Sequence, residues 1–233
     1  ELSDALFEIY TNALKAKSLP TFSEPHPIKI TAQGGIGTFE ECELLHNYYG
    51  IDSTGWGTPF LLVPEATTVD NPTLELLQKS KKVDLFLSNN SPLGVPFHYL
   101  KGTSSDIEKQ NRIDKGKPGS PCTEKHLVNN TEFTEEPICT ASLKYQKLKI
   151  NQLKSLNLPA KQYEKELQTV LDKECLCVGL SNSATIKYEQ PFLKNLTAVT
   201  ICPGPAIAYF SPTDSLPEMT DHIYGSNNII THN

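Results

Sequence analysis

No run of apolar residues in this chain is long enough to cross a bilayer. No export signal is visible either, so a cytoplasmic location, reduced thiols and no membrane partner are expected. Positive charge is also short: Lys and Arg total 21 against 27 Asp and Glu, a formal charge of −6, which argues against a nucleic-acid binder. There is no Gly-x-Ser-x-Gly elbow and no His-Glu-x-x-His pair, so neither of those hydrolase signatures applies. Paired Cys-x-x-Cys motifs and internal repeats are missing too. The chain opens at Glu1 without a Met, and dependence on upstream sequence or a partner subunit is expected. What is present is an ordinary globular composition, 38% hydrophobic and 21% charged over 233 residues, enough for one large or two small domains.

The most structured stretch is Ile28 to Leu62. Ile28 to Ala32 alternates as a strand does. It runs into Gly34-Gly35-Ile36-Gly37-Thr38, followed by Phe39 to Leu45, a helix start whose Glu40, Glu41 and Glu43 suit the positive end of the helix dipole. After Gly50 the chain returns as Ile51 to Phe60, a second strand with a glycine turn at Gly57-Thr58. Strand, helix and strand over about 35 residues make a βαβ unit. Glycines at 34, 35 and 37 let a ligand approach backbone N–H groups at a helix start, which is the chemistry of phosphate binding. The plain alternative is an empty βα turn.

That pair of segments, GGIGT and then GIDSTGWGTPFLL, resembles strands seven and eight of the FMN-dependent (β/α)8 barrels: the nitronate monooxygenases, the IMP dehydrogenases and the synthase domain of glutamate synthase. The resemblance implies an FMN or substrate phosphate held by Gly34, Gly35, Ile36, Gly37 and Thr38 in the first turn and by Gly57 and Thr58 in the second. Thr58 stands where those families often have an Arg. It also implies a small-molecule substrate, in an α/β fold that contains the last βαβ units of a TIM-type barrel.

Around the unit, residues 1–17 predict an amphipathic helix with Leu2, Ala5, Leu6, Ile9, Ala13 and Leu14 on one face. Downstream, helices are expected over 71–79, 104–115, 160–173 and 216–224, a strand over 83–87 and a turn-rich segment over 88–97. Residues 1–63 are thus read as a barrel-like phosphate-binding part and 64–233 as a loop-rich α+β extension.

Cysteines gather in that extension. Cys122 follows a Pro-Gly-Ser-Pro loop, Cys139 follows Pro137-Ile138, and Cys175 and Cys177 form a Cys-x-Cys pair expected on an extended segment. Thiolates of this kind suit an iron–sulfur cluster, with zinc as the chemical rival. Packed structural thiols or one nucleophilic Cys are the other readings. Cys202 is the reserve ligand, and Cys42 belongs to the βαβ helix. His98, His126 and Glu65 are further candidates near the expected site. Two functions follow: part of a flavin-type oxidoreductase in which a cluster exchanges single electrons with FMN, or a non-redox phosphate-ligand enzyme or structural module.

Overall fold

The computed structural model describes residues 1–191, 193, 195–210 and 215–231, and His232 lies outside them. The chain forms two compact units, Glu1–Gln33 with Glu40–Gly55, and Gly34–Phe39 with Trp56–Asn233. The boundary expected after residue 63 falls within the second.

The first unit opens with α1 (Leu2–Ala16), which has Asp4 in its first turn and Lys15 in its last, both matched to the helix dipole. None of its residues is buried, and Leu2, Leu6 and Ile9 of the expected apolar face are exposed. Strands β1 (Thr31–Gln33) and β2 (Ser53–Gly55) pair in parallel, with Thr31 opposite Ser53 and Gln33 opposite Gly55. Helix α2 (Phe39–Asn47) joins them in sequence, so the expected βαβ order is present. The strands are shorter than the sequence suggests. Ile28 is exposed and outside β1, and Asp52 Oδ2 accepts the Ile30 N–H at 2.7 Å, ending the ladder with a side chain. Strand β2 stops because Gly57, Thr58 and Pro59 enter a 3-10 turn, Thr58–Leu62, whose unbonded first N–H groups make room for Pro59. Among the described residues the only other sheet is the hairpin of β3 (Leu85–Ser88) and β4 (Phe97–Leu100), so no closed barrel forms.

The second unit is built on Leu62, Val63, Val69, Leu77, Leu100, Ile201, Ile207, Phe210 and Met219. Helix α3 (Asn71–Lys79) carries Leu77 into that core, and its start is fixed by Asp70, whose carboxylate accepts the Thr73 N–H. Buried Asp70 also accepts the Ser183 hydroxyl at 3.1 Å, tying α3 to α7 (Leu176–Lys187). Helix α4 (Ser104–Asp114) stops at Gly116, as a glycine in the left-handed region does. Helices α5 (Leu143–Ser155) and α6 (Ala160–Asp172) pack on each other as a hairpin. Helix α8 (Leu216–Ile223) starts on a Ser215–Glu218 capping box and buries Met219 and His222.

Candidate metal centre

The loop that carries Cys122 is placed by a glycine. Gly119 has φ +93°, and a Cβ there would lie 2.7 Å from Leu143 Cα and N, so no other residue lets the loop come this close to the start of α5. The contact puts Ser120 alongside Ser142: Ser120 N–H donates to Ala141 O at 2.8 Å, and Leu143 N–H donates to Ser120 O at 2.9 Å. Cys139 sits at the turn just before, its carbonyl accepting the Ser142 N–H, and the Ser142 hydroxyl accepts the Tyr145 N–H at the head of α5.

Cys175 and Cys177 arrive from the other side. The Cys-x-Cys pair is not extended, as the sequence suggests: Cys175 caps α7 and Cys177 lies in its first turn, with Cys175 O accepting the Gly179 N–H. The segment is anchored by Glu174, which is 2% exposed. Its N–H donates to Asn90 O, and its carboxylate accepts the Thr200 hydroxyl at 2.8 Å and the Asn90 amide at 3.4 Å. The Tyr99 hydroxyl lies 3.2 Å away, shared with Asp106, and Lys109 Nζ is at 3.6 Å. Burial beside Glu174 pushes the Tyr99 hydroxyl far above its ordinary range.

These two supports bring the Sγ atoms of Cys122, Cys175 and Cys177 within 4.8 Å of one another. Cys139 lines the same cavity, of about 150 Å³, with Leu127, Val128, Pro137, Ile138 and Ala141 as apolar walls and Lys125, His126 and Lys144 also on its lining. The thiols are electrostatically unequal. Cys175 donates a hydrogen bond to Cys177, which raises Cys175 well above the ordinary thiol range, with burial adding to it, and lowers Cys177. Burial pushes up Cys122 and Cys139. Cys202 is exposed and absent from the cavity lining, and Cys42 is in the first unit with its sulfur 3.4 Å from the Thr54 hydroxyl. His98 lies on β4 opposite Leu87, and Glu65 is exposed in the turn after Val63.

The glycine turns are arranged differently from the thiols. Gly34 and Gly35 have φ of +91° and +75° and are exposed, whereas Ile36 is buried. The Gly37 carbonyl lies 2.9 Å from Nε2 of buried His222, which is flanked by Trp56 and Phe210 at ring distances of 5.8 and 5.5 Å. Gly57 precedes the 3-10 turn, and the Thr58 hydroxyl accepts the Gly204 N–H at 2.8 Å. His222, Gly204 and Glu174 carry no local signal in the sequence, since each acts through a partner distant along the chain.

No family model matches the chain, and no curated protein matches it in sequence. Among solved structures it is similar to the enoyl reductase domain of MlnA from the macrolactin biosynthesis cluster of Bacillus amyloliquefaciens. The TM-score is 0.36 at 18% identity, over 88% of this chain and 46% of that one. The chain therefore spans less than half of that domain, and a likeness of this size carries no inference about activity. The resemblance to nitronate monooxygenase-type barrels gains no support from a family match.

Chemically, the thiol cluster offers soft sulfur donors in an apolar surround, at separations a single ion can span. The glycine turns offer backbone N–H groups and hydroxyls, and neither turn contains a Lys or Arg.

Proposed function

We propose that the second unit is a metal-binding module, with its centre held by Cys122, Cys175 and Cys177 and with Cys139 on the wall of the same cavity. One observation carries this reading, the convergence of three thiols from two separate segments to within 4.8 Å. Thiols that merely pack have no reason to meet one another, whereas a metal ion needs donors that converge. An iron–sulfur cluster here would supply single-electron transfer, and zinc would supply a structural clamp or a Lewis acid.

The wider role proposed is that of part of a flavin-type oxidoreductase acting on a small molecule, with the FMN phosphate at Gly34–Thr38 and Gly57–Thr58. The left-handed, exposed backbone at Gly34 and Gly35 supports it. The turns would meet an anion through backbone N–H groups and threonine hydroxyls, because no Lys or Arg lies in either segment.

Metal analysis and a visible spectrum of full-length protein prepared without oxygen or chelator test both parts. A metal stoichiometry near one centre per chain supports the module, and a yellow flavin spectrum supports the oxidoreductase. Metal-free protein with four freely reactive thiols overturns the first reading. Absence of flavin binding, or binding unaffected by Gly35→Asp in a folded variant, overturns the second.

A further inference from the structure

We infer that the centre is an open one: Cys122, Cys175 and Cys177 hold a single ion, and its fourth position faces the cavity, where it takes a small apolar thiol. This rests on the reading of the thiols as a metal centre and goes further, by taking Cys139 as a wall of the ligand pocket and not as a ligand.

Distance separates the cysteines into three and one. Thiolates at about 2.3 Å from a tetrahedral zinc lie roughly 3.8 Å from each other, so a set already within 4.8 Å closes on one ion with shifts of about 1 Å. Cys139 lines the cavity but does not belong to that set. Four mutually bonded thiolates would close the coordination sphere, as in structural sites, whereas three protein ligands leave a position for an incoming molecule.

The cavity supplies the room. At about 150 Å³ it matches the volume that accommodates a molecule of benzene size. Leu127, Val128, Pro137 and Ile138 make its walls apolar, which selects a hydrocarbon body. Three thiolates make the ion soft, and a soft ion prefers sulfur as its next donor over water or carboxylate. That donor enters as a thiolate, releasing its proton to solvent. No carboxylate lines the cavity, and Lys125 and Lys144 lie on its lining, so the negative charge gathered on four sulfurs is offset.

The test uses full-length protein stripped of metal under reducing conditions and reloaded with Co(II), whose colour reports its ligands. Cys139→Ala should bind one Co(II) with wild-type affinity, while Cys122→Ala and Cys177→Ala should lose at least about tenfold. Benzenethiol should raise the sulfur-to-cobalt charge-transfer absorbance by about a third in both wild type and Cys139→Ala, as three thiolates become four. Cys139→Ser, close in size, gives the same comparison should Ala collapse the wall. Loss of Co(II) affinity in both Cys139 variants, no response to benzenethiol, or a sulfide-bridged iron cluster in the purified protein would each overturn the open site and leave the metal centre standing. A wild type that binds no metal at all would overturn both.

Discussion

Glu174→Ala should be among the most damaging single changes in the second unit. The Glu174 carboxylate is the shared acceptor for the Thr200 hydroxyl and the Asn90 amide, with the Tyr99 hydroxyl and Lys109 Nζ alongside. Hydrogen bonds to a charged group contribute about 1.5–3 kcal/mol each, and all of these groups lose that acceptor when the carboxylate goes, although Tyr99 keeps Asp106. Lys109 then keeps Asp106, at 3.8 Å. Together with the cost of breaking a buried charge network, a destabilisation of about 3–5 kcal/mol follows, against a total of about 5–15 for a protein domain. In calorimetry that corresponds to a Tm lowered by about 6–20 °C. Glu174→Gln keeps the shape and one acceptor and should cost about 1–3 kcal/mol. Because Cys175 is the next residue, the Ala variant should also bind metal less tightly. A loss below about 1 kcal/mol in urea unfolding would refute the account, as would simple additivity of Glu174→Ala with Thr200→Val in a double-mutant cycle.

Gly119→Ala forces a left-handed backbone on an L-residue and drives a Cβ into Leu143. It should cost at least about 2 kcal/mol, and should lower metal affinity more than tenfold by displacing the Cys122 loop; unchanged metal binding would detach that loop from the centre. Glu132 sets part of the acid limit: burial pushes its carboxyl up, but hydrogen bonds from Lys149 at 2.6 Å and Tyr145 at 3.0 Å outweigh this and hold it below the ordinary value. Its stabilisation is therefore full above the unfolded value of about 4.3 and fades as the pH falls through the lower folded value, so Glu132→Gln should flatten that part of a stability-against-pH curve. Tyr145, pushed up to about 12 by burial and then by Glu132, contributes on the alkaline side: its share is full below about 10 and is lost as pH rises through 12, and Tyr145→Phe should remove that slope.

Local punctuation makes several elements legible in the sequence. Asp70 and Pro72 mark α3, Gly116 ends α4, and Ser215 with Glu218 opens α8. Helices α5 and α7 are not legible in the same way. Helix α7 contains Gly179, Ser181, Asn182 and Ser183, poor helix formers that tertiary contacts override. Asn182 donates to Leu196 O and Ala198 O, and Gly179 is required by Thr200, whose Oγ1 would lie 2.6 Å from a Cβ. The strands look longer in the sequence than in the fold because Ile28 and Ile51 alternate correctly, yet Asp52 and Pro59 end the pairing. Of the site, Cys122 and Cys139 in Pro-containing loops and Cys175 and Cys177 as a Cys-x-Cys pair are visible. The helical setting of Cys177 and the division into three and one are not, since they depend on the Gly119–Leu143 approach and on Asn90 reaching Glu174 from 84 positions away.

The hairpin of α5 and α6 is inserted in the second unit between Cys139 and Cys175, and none of its residues belongs to the main core cluster. At its neck Gln146 donates to Lys173 O at 3.3 Å and Lys173 Nζ reaches Asn89 O and Ser91 O, while Tyr145 and Lys149 hold Glu132 alongside. An ion on Cys122, Cys175 and Cys177 would lie at that neck and act there as a removable cross-link. The hairpin then behaves as a separate cooperative unit, whose opening free energy is set by the ion and not by the core. Chelation should accelerate amide hydrogen exchange across residues 143–172 while α3, β4 and α8 stay protected, so that occupancy of the centre is read out as the order of a thirty-residue arm.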